Sequence, residues 1–72
     1  MNLSNRLKEA RLQRDLTQET LARTVGVTRQ TIIAIEKGKF VPSVKLALQL
    51  AQALDVPIGE LFRLEQDKGA QT

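Results

Sequence analysis

The sequence of 72 residues contains no cysteine and no histidine. The first absence excludes a disulfide, a thiolate metal site and a thiol nucleophile. The second removes the commonest general base and the commonest neutral metal ligand. There is also no cluster of carboxylates and no glycine-rich phosphate loop, so an enzyme is not expected, nor a metal or cofactor. Tryptophan and tyrosine are missing as well, and the two aromatics are Phe40 and Phe62. No stretch alternates apolar and polar residues with a period of two, so strands are not expected. No apolar run approaches the ~20 residues of a membrane helix. No basic start leads into an apolar run of the signal-peptide kind. A chain of this length holds one domain, with a thin core that buries only ~60% of the unfolded surface. The missing cysteine fits a cytoplasmic location.

What is present is basic and helical. The formal net charge is +3. Residues 1–45 carry nine Lys and Arg against four Asp and Glu, and residues 46–72 carry two against four. One basic end suggests a face for a polyanion, although chance on a solvated surface gives the same asymmetry. Apolar residues recur at helical spacing. A first helix is expected from Leu3 to Arg14, with Leu3, Leu7, Ala10 and Arg11 on one stripe. Asp15 would leave it in the left-handed region. Thr17 caps a second helix, Gln18 to Thr24, which Gly26 ends. Thr28 caps a third, Arg29 to Lys37, stopped at Gly38. After the loop Lys39-Phe40-Val41-Pro42, Ser43 caps a fourth that runs to Leu54. Leu46, Leu50 and Leu54 stack along it, flanked by Ala47 and Ala51. Val56-Pro57 breaks the chain before a last short helix, Ile58 to Leu64. Residues 65–72 are expected to be a disordered tail, which leaves 1–64 as an all-α domain.

Gln18 to Lys37 read as one unit. Two short helices meeting at a steep angle through a tight turn leave space only for a small side chain where they cross. Ala22 meets that requirement, and Gly26 supplies the positive φ of the turn. Leu21, Val25, Val27, Ile32 and Ile35 fasten the second of these helices to the core. Its other face carries Arg29, Gln30, Ile33, Ala34 and Lys37. Arg and Gln have the bidentate geometry of guanine and adenine edges, and Ile33 suits a thymine methyl. Ala34 lets the helix approach the base pairs closely. Taken singly, Arg29 and Gln30 also pass as surface residues, and Ile33 as core. Within the Ala–Gly–apolar frame they read as a helix for the major groove. Phosphate contacts are expected around it. Thr17, Gln18, Thr28 and Ser43 lie at helix N-termini, where free amides and the dipole favour an anion. Lys37, Lys39 and Lys45 are nearby cations.

With these motifs the sequence resembles the Xre/Cro-like repressors, a family named for phage regulators. The likeness runs from Leu3 to about Leu64. It rests on Leu16-Thr17-Gln18-Glu19 with Leu21-Ala22, on Gly26-Val27-Thr28-Arg29-Gln30-Thr31-Ile32, on Ile35-Glu36-Lys37-Gly38-Lys39 and on Pro42-Ser43. The resemblance implies a compact five-helix, lambda-repressor-like domain that binds double-stranded DNA. It implies that Gln18 reaches the DNA backbone or an outer base and that Arg29 and Gln30 lead the base reading. Arg11 and Glu36 match a pair that forms a structural ion pair in the family. Ala34 departs from phage repressors that carry a base-reading amide there. Pro57 stands where short members often have Ser.

A single such helix reads few base pairs, so a homodimer on a palindromic operator is expected, with half-sites ~34–36 Å apart. The candidate surface is Ile58, Leu61, Phe62 and Leu64, some of which would instead close the core. The expected function is a transcriptional regulator acting as a repressor, bacterial or phage-encoded and nucleoid-associated. An antitoxin that also binds a partner protein is the alternative, with only residues 65–72 left to hold that partner. No small-molecule ligand is evident.

Overall fold

The computed structural model describes residues 2–65. The elements follow in the order β1 (Asn2–Asn5), α1 (Leu7–Gln13), α2 (Gln18–Val25), α3 (Arg29–Glu36), α4 (Val44–Leu54), α5 (Ile58–Leu61) and β2 (Phe62–Glu65).

Local chemistry sets the middle of the chain. Thr17, Thr28 and Ser43 stand in extended backbone before α2, α3 and α4. Their hydroxyls accept from the amides of Thr20 at 3.0 Å, Thr31 at 3.3 Å and Leu46 at 3.1 Å. Each satisfies one of the amides that a helix start leaves without a partner. Helices α1 to α4 share one kind of ending. A left-handed residue follows each helix: Asp15 (φ 55), Gly26 (φ 76), Gly38 (φ 74) and Asp55 (φ 56). The next amide then returns to the carbonyl five residues back, as in Val27 to Ala22 and Lys39 to Ala34, both 2.9 Å. Glycine takes this conformation freely at 26 and 38. Aspartate, which tolerates it, serves at 15 and 55.

The two ends of the fold correct the sequence-based expectation of an all-α chain. The first helix begins at Leu7 and not at Leu3, and the last stops at Leu61 and not at Leu64. The residues outside them pair as an antiparallel two-stranded sheet, in register Asn2↔Glu65, Leu3↔Leu64, Ser4↔Arg63 and Asn5↔Phe62. Directly opposed residues share a face, so Leu3, Leu64, Asn5 and Phe62 lie together on one side. Tertiary pairing overrides the helical spacing of Leu3 and Leu7. Asn5 makes the junction: its side-chain oxygen accepts from the Leu7 amide at 3.0 Å and its amide donates to the Ile35 carbonyl at 2.9 Å. One side chain thus starts α1 and covers a carbonyl at the end of α3. The expected tail lies outside the described residues, except Glu65, which ends β2.

The core gathers one stripe from each helix. Leu7, Leu21, Ile32, Ile35, Leu50, Leu54 and Leu61 are fully buried, with Ala10, Ala22, Val25, Leu46 and Ala51 between them. Helix α2 packs against both α3 and α4, and the buried Ala22 keeps that packing close.

Candidate nucleic-acid interface

Helix α3 is anchored by Ile32 and Ile35, which are buried, and its opposite side is open. Arg29, Gln30 and Lys37 are exposed, whereas Ile33 and Ala34 are half-buried. The five expected groove-facing residues therefore form a graded surface: long polar side chains at the leading end, small or apolar ones recessed behind. Helix α3 ends at Glu36, so Lys37 is its C-cap and not its last helical residue. Lys39 lies in the following loop, and Lys45 in the first turn of α4; both are exposed. Among the described residues the side chains of Gln30, Lys37, Lys39 and Lys45 make no hydrogen bond or ion pair.

Thr17, Thr28 and Ser43 are exposed at the starts of three helices. In the first two, the capping hydroxyl also meets a second threonine hydroxyl, Thr17 with Thr20 at 2.9 Å and Thr28 with Thr31 at 3.2 Å. The first amides of α2, α3 and α4 point away from the helix body, where a helix start favours an anion.

Behind this surface sits a charged network. Arg11 donates through Nε to Glu36 Oε2 at 2.7 Å, through Nη2 to Glu36 Oε1 at 3.4 Å and through Nη1 to the Leu16 carbonyl at 2.8 Å. The two side chains are 8% and 5% exposed, so the pair is buried. Gln18 opens α2 and is half-buried; its Nε2 donates to Glu36 Oε1 at 3.1 Å. On its other side, Arg29 Nε donates to Gln18 Oε1 at 3.5 Å. The family resemblance implies a Gln18 that reaches the DNA backbone or an outer base. In the structure its amide bridges the buried pair and the leading arginine of α3.

The candidate dimer residues divide. Leu61 is 1% exposed and belongs to the core, which removes it from any partner surface. Phe62 is half-buried against that core and lies on β2, not on a helix. Ile58 at 37% and Leu64 at 69% remain open, and the cross-strand partner of Leu64, Leu3, is 37% exposed. Asn5 and the bridging amide of Gln18 have no local signal in the sequence. The structure also leaves the apolar residues Phe40, Val41, Val44 and Leu48 exposed. For the last two, the spacing i, i+4 on α4 was the available signal.

Residues 7–61 match the model of a family described as helix-turn-helix. A protein of Methanocaldococcus jannaschii named as an HTH-type transcriptional regulator is 52% identical over 66 residues, 92% of this chain and 100% of its own length. The regulator YgzD of Bacillus subtilis is 46% identical over 65 residues, 90% of this chain and 98% of its own. The cryptic phage CTXphi transcriptional repressor RstR of Vibrio cholerae is 40% identical over 58 residues, 81% of this chain and 52% of that protein. The crystal structure of the restriction-modification controller protein C.AhdI from Aeromonas hydrophila superposes with a TM-score of 0.71 at 39% identity, over 75% of this chain and 82% of that one.

Proposed function

Since the chain belongs to the Xre/Cro-like helix-turn-helix family of DNA-binding transcriptional regulators, we propose that it is a repressor that binds a palindromic operator as a homodimer. The observation that carries this reading is the exposed leading end of α3, Arg29 and Gln30, on a helix fixed to the core from behind and followed by the exposed Lys37 and Lys39. Helix α3 lies in the major groove. Arg29 takes a guanine edge, Gln30 an adenine edge, and Ile33 a thymine methyl, while Ala34 permits the close approach. Thr17, Gln18, Thr28 and Ser43 hold phosphates at helix starts, with Lys37, Lys39 and Lys45 beside them. Two copies meet through Ile58, Leu64 and Leu3, the apolar residues that the last helix and the sheet leave uncovered, with the half-buried Phe62 beside them. Bound across a promoter, the dimer occludes it, a role consistent with the name of the similar phage repressor. Such a protein acts in the cytoplasm, at the nucleoid. Among the described residues no helix is long and apolar enough to cross a membrane.

Selection of bound duplexes from a random-sequence DNA pool tests this. A consensus with two inverted half-sites about one helical turn apart is expected. No enrichment would sink the DNA reading, and an asymmetric consensus would sink the dimer. Lys39→Ala should weaken binding evenly across sequences. It should also make the dependence of log affinity on log salt shallower by about 0.9 for each phosphate that is no longer neutralised. A loss of affinity confined to particular sequences would show that Lys39 reads bases.

A further inference from the structure

We propose that Glu36 is a positioning residue for base reading: its buried carboxylate fixes the amide of Gln18, and Gln18 in turn fixes Arg29. The proposal rests on the reading of Arg29 as a base-reading side chain. Its physical basis is the one-sidedness of a carboxylate. An ionised carboxylate can only accept hydrogen bonds. The Gln18 amide lies against Glu36 Oε1 at 3.1 Å and must therefore turn its NH2 group that way. The opposite orientation would press a carbonyl oxygen on a carboxylate oxygen inside the protein. Gln18 Oε1 consequently projects to the other side, toward α3, where Arg29 Nε meets it at 3.5 Å.

Arg11 makes the carboxylate a fixed reference point. Its guanidinium holds both oxygens of Glu36 and is itself held by the Leu16 carbonyl at 2.8 Å. A chain of four side chains thus runs from the buried end of α1, through the last turn of α3 and the first turn of α2, to the exposed first turn of α3. Two residues of one helix, Glu36 and Arg29, are tied together through a neighbouring helix. The consequence for recognition is specific. With Nε engaged by Gln18, Arg29 presents the edge formed by its two terminal nitrogens. A long side chain held in this way also has less freedom to lose when it docks.

The free chain provides the first test. Gln18→Met keeps length and apolar contact but neither donates nor accepts. It is expected to speed hydrogen exchange at Arg29 Nε, followed by NMR, by about three- to tenfold, the worth of one hydrogen bond. Arg11 Nε should stay protected. Unchanged exchange at Arg29 overturns the proposal.

The second test uses the duplex that the unaltered protein enriches from a random-sequence pool, and the base pair at which Arg29→Ala abolishes discrimination. Gln18→Met and Glu36→Gln are each expected to lower discrimination at that pair by about three- to tenfold. Gln18→Met should lower it no further once Arg29 is alanine, and Glu36→Gln should have no effect once Gln18 is methionine. Independent, additive losses overturn the proposal, because groups that act through one another are not additive. Discrimination is a ratio of two affinities of the same sample, so a reduced folded fraction cancels from it, and a purely structural role would leave it unmoved. If no duplex is enriched, DNA reading by this surface fails, while exchange at Arg29 Nε still decides whether the relay exists.

Discussion

Arg11→Ala is expected to destabilise the fold by about 3–5 kcal/mol, the cost of breaking a buried ion pair from one side. The truncation removes three donors at once. It leaves a Glu36 side chain only 5% exposed with the Gln18 amide as its remaining partner, and it strips the Leu16 carbonyl of its guanidinium. A chain of 72 residues has a total stability of roughly 4–11 kcal/mol, so this is a large share of the whole. At about 4–8 °C per kcal/mol for a domain of this size, the melting temperature read by circular dichroism should fall by roughly 12–40 °C. A fall of only a few degrees would show that the pair contributes little. Removing both charges, in Arg11→Met with Glu36→Leu, should recover most of the loss, because no charge is then left buried alone.

Arg29→Ala should behave in the opposite way. Arg29 is exposed, packs into no core position and has one side-chain partner at 3.5 Å. Its removal should therefore leave the melting temperature nearly unchanged. The loss should appear in discrimination between the selected operator and random DNA. One bidentate base contact is worth about 1–3 kcal/mol. A symmetric dimer makes it twice, so the operator should lose about 2–6 kcal/mol, at least roughly thirtyfold in the affinity ratio. Intact specific binding by the alanine variant would remove Arg29 from the reading surface. The two arginines are expected to separate folding from recognition, because Arg11 is buried and Arg29 exposed.

Much of this was legible in the sequence where the signals are local. Thr17, Thr28 and Ser43 begin helices because a short hydroxyl side chain can reach the amide three residues on, whatever the rest of the chain does. Gly26 and Gly38 end helices for an equally local reason. Asp55 has the same conformation as Asp15 but is obscured in the sequence by the following Val56-Pro57, which already reads as a break. The strands were not legible. Asn2–Asn5 and Phe62–Glu65 are too short to show alternation, and each becomes a strand only because the other lies beside it. Leu3 and Leu7 at helical spacing, followed at the other end by Leu61 and Leu64, pointed to longer helices instead. The candidate site divides along the same line. Which residues α3 exposes follows from its own periodicity. The direction of the Gln18 amide depends on Glu36, eighteen residues away in sequence, and no local pattern encodes it.

The pairing of β1 with β2 also bears on how the molecule forms and opens. Helices α2, α3 and α4 carry their own caps and pack mainly on near neighbours, contacts that form early in a folding chain. The sheet joins residue 5 to residue 62, so nearly the whole described chain must be closed into a loop before it gains anything, at an entropic cost that grows with loop length. It is therefore expected to assemble last and, holding only two four-residue strands with five of their eight residues exposed, to open first. Leu3 and Leu64, part of the surface proposed for the second copy, lie on this late and labile element. Dimerisation would then stabilise the part of each protomer least able to stabilise itself, and the integrity of that end would depend on protein concentration.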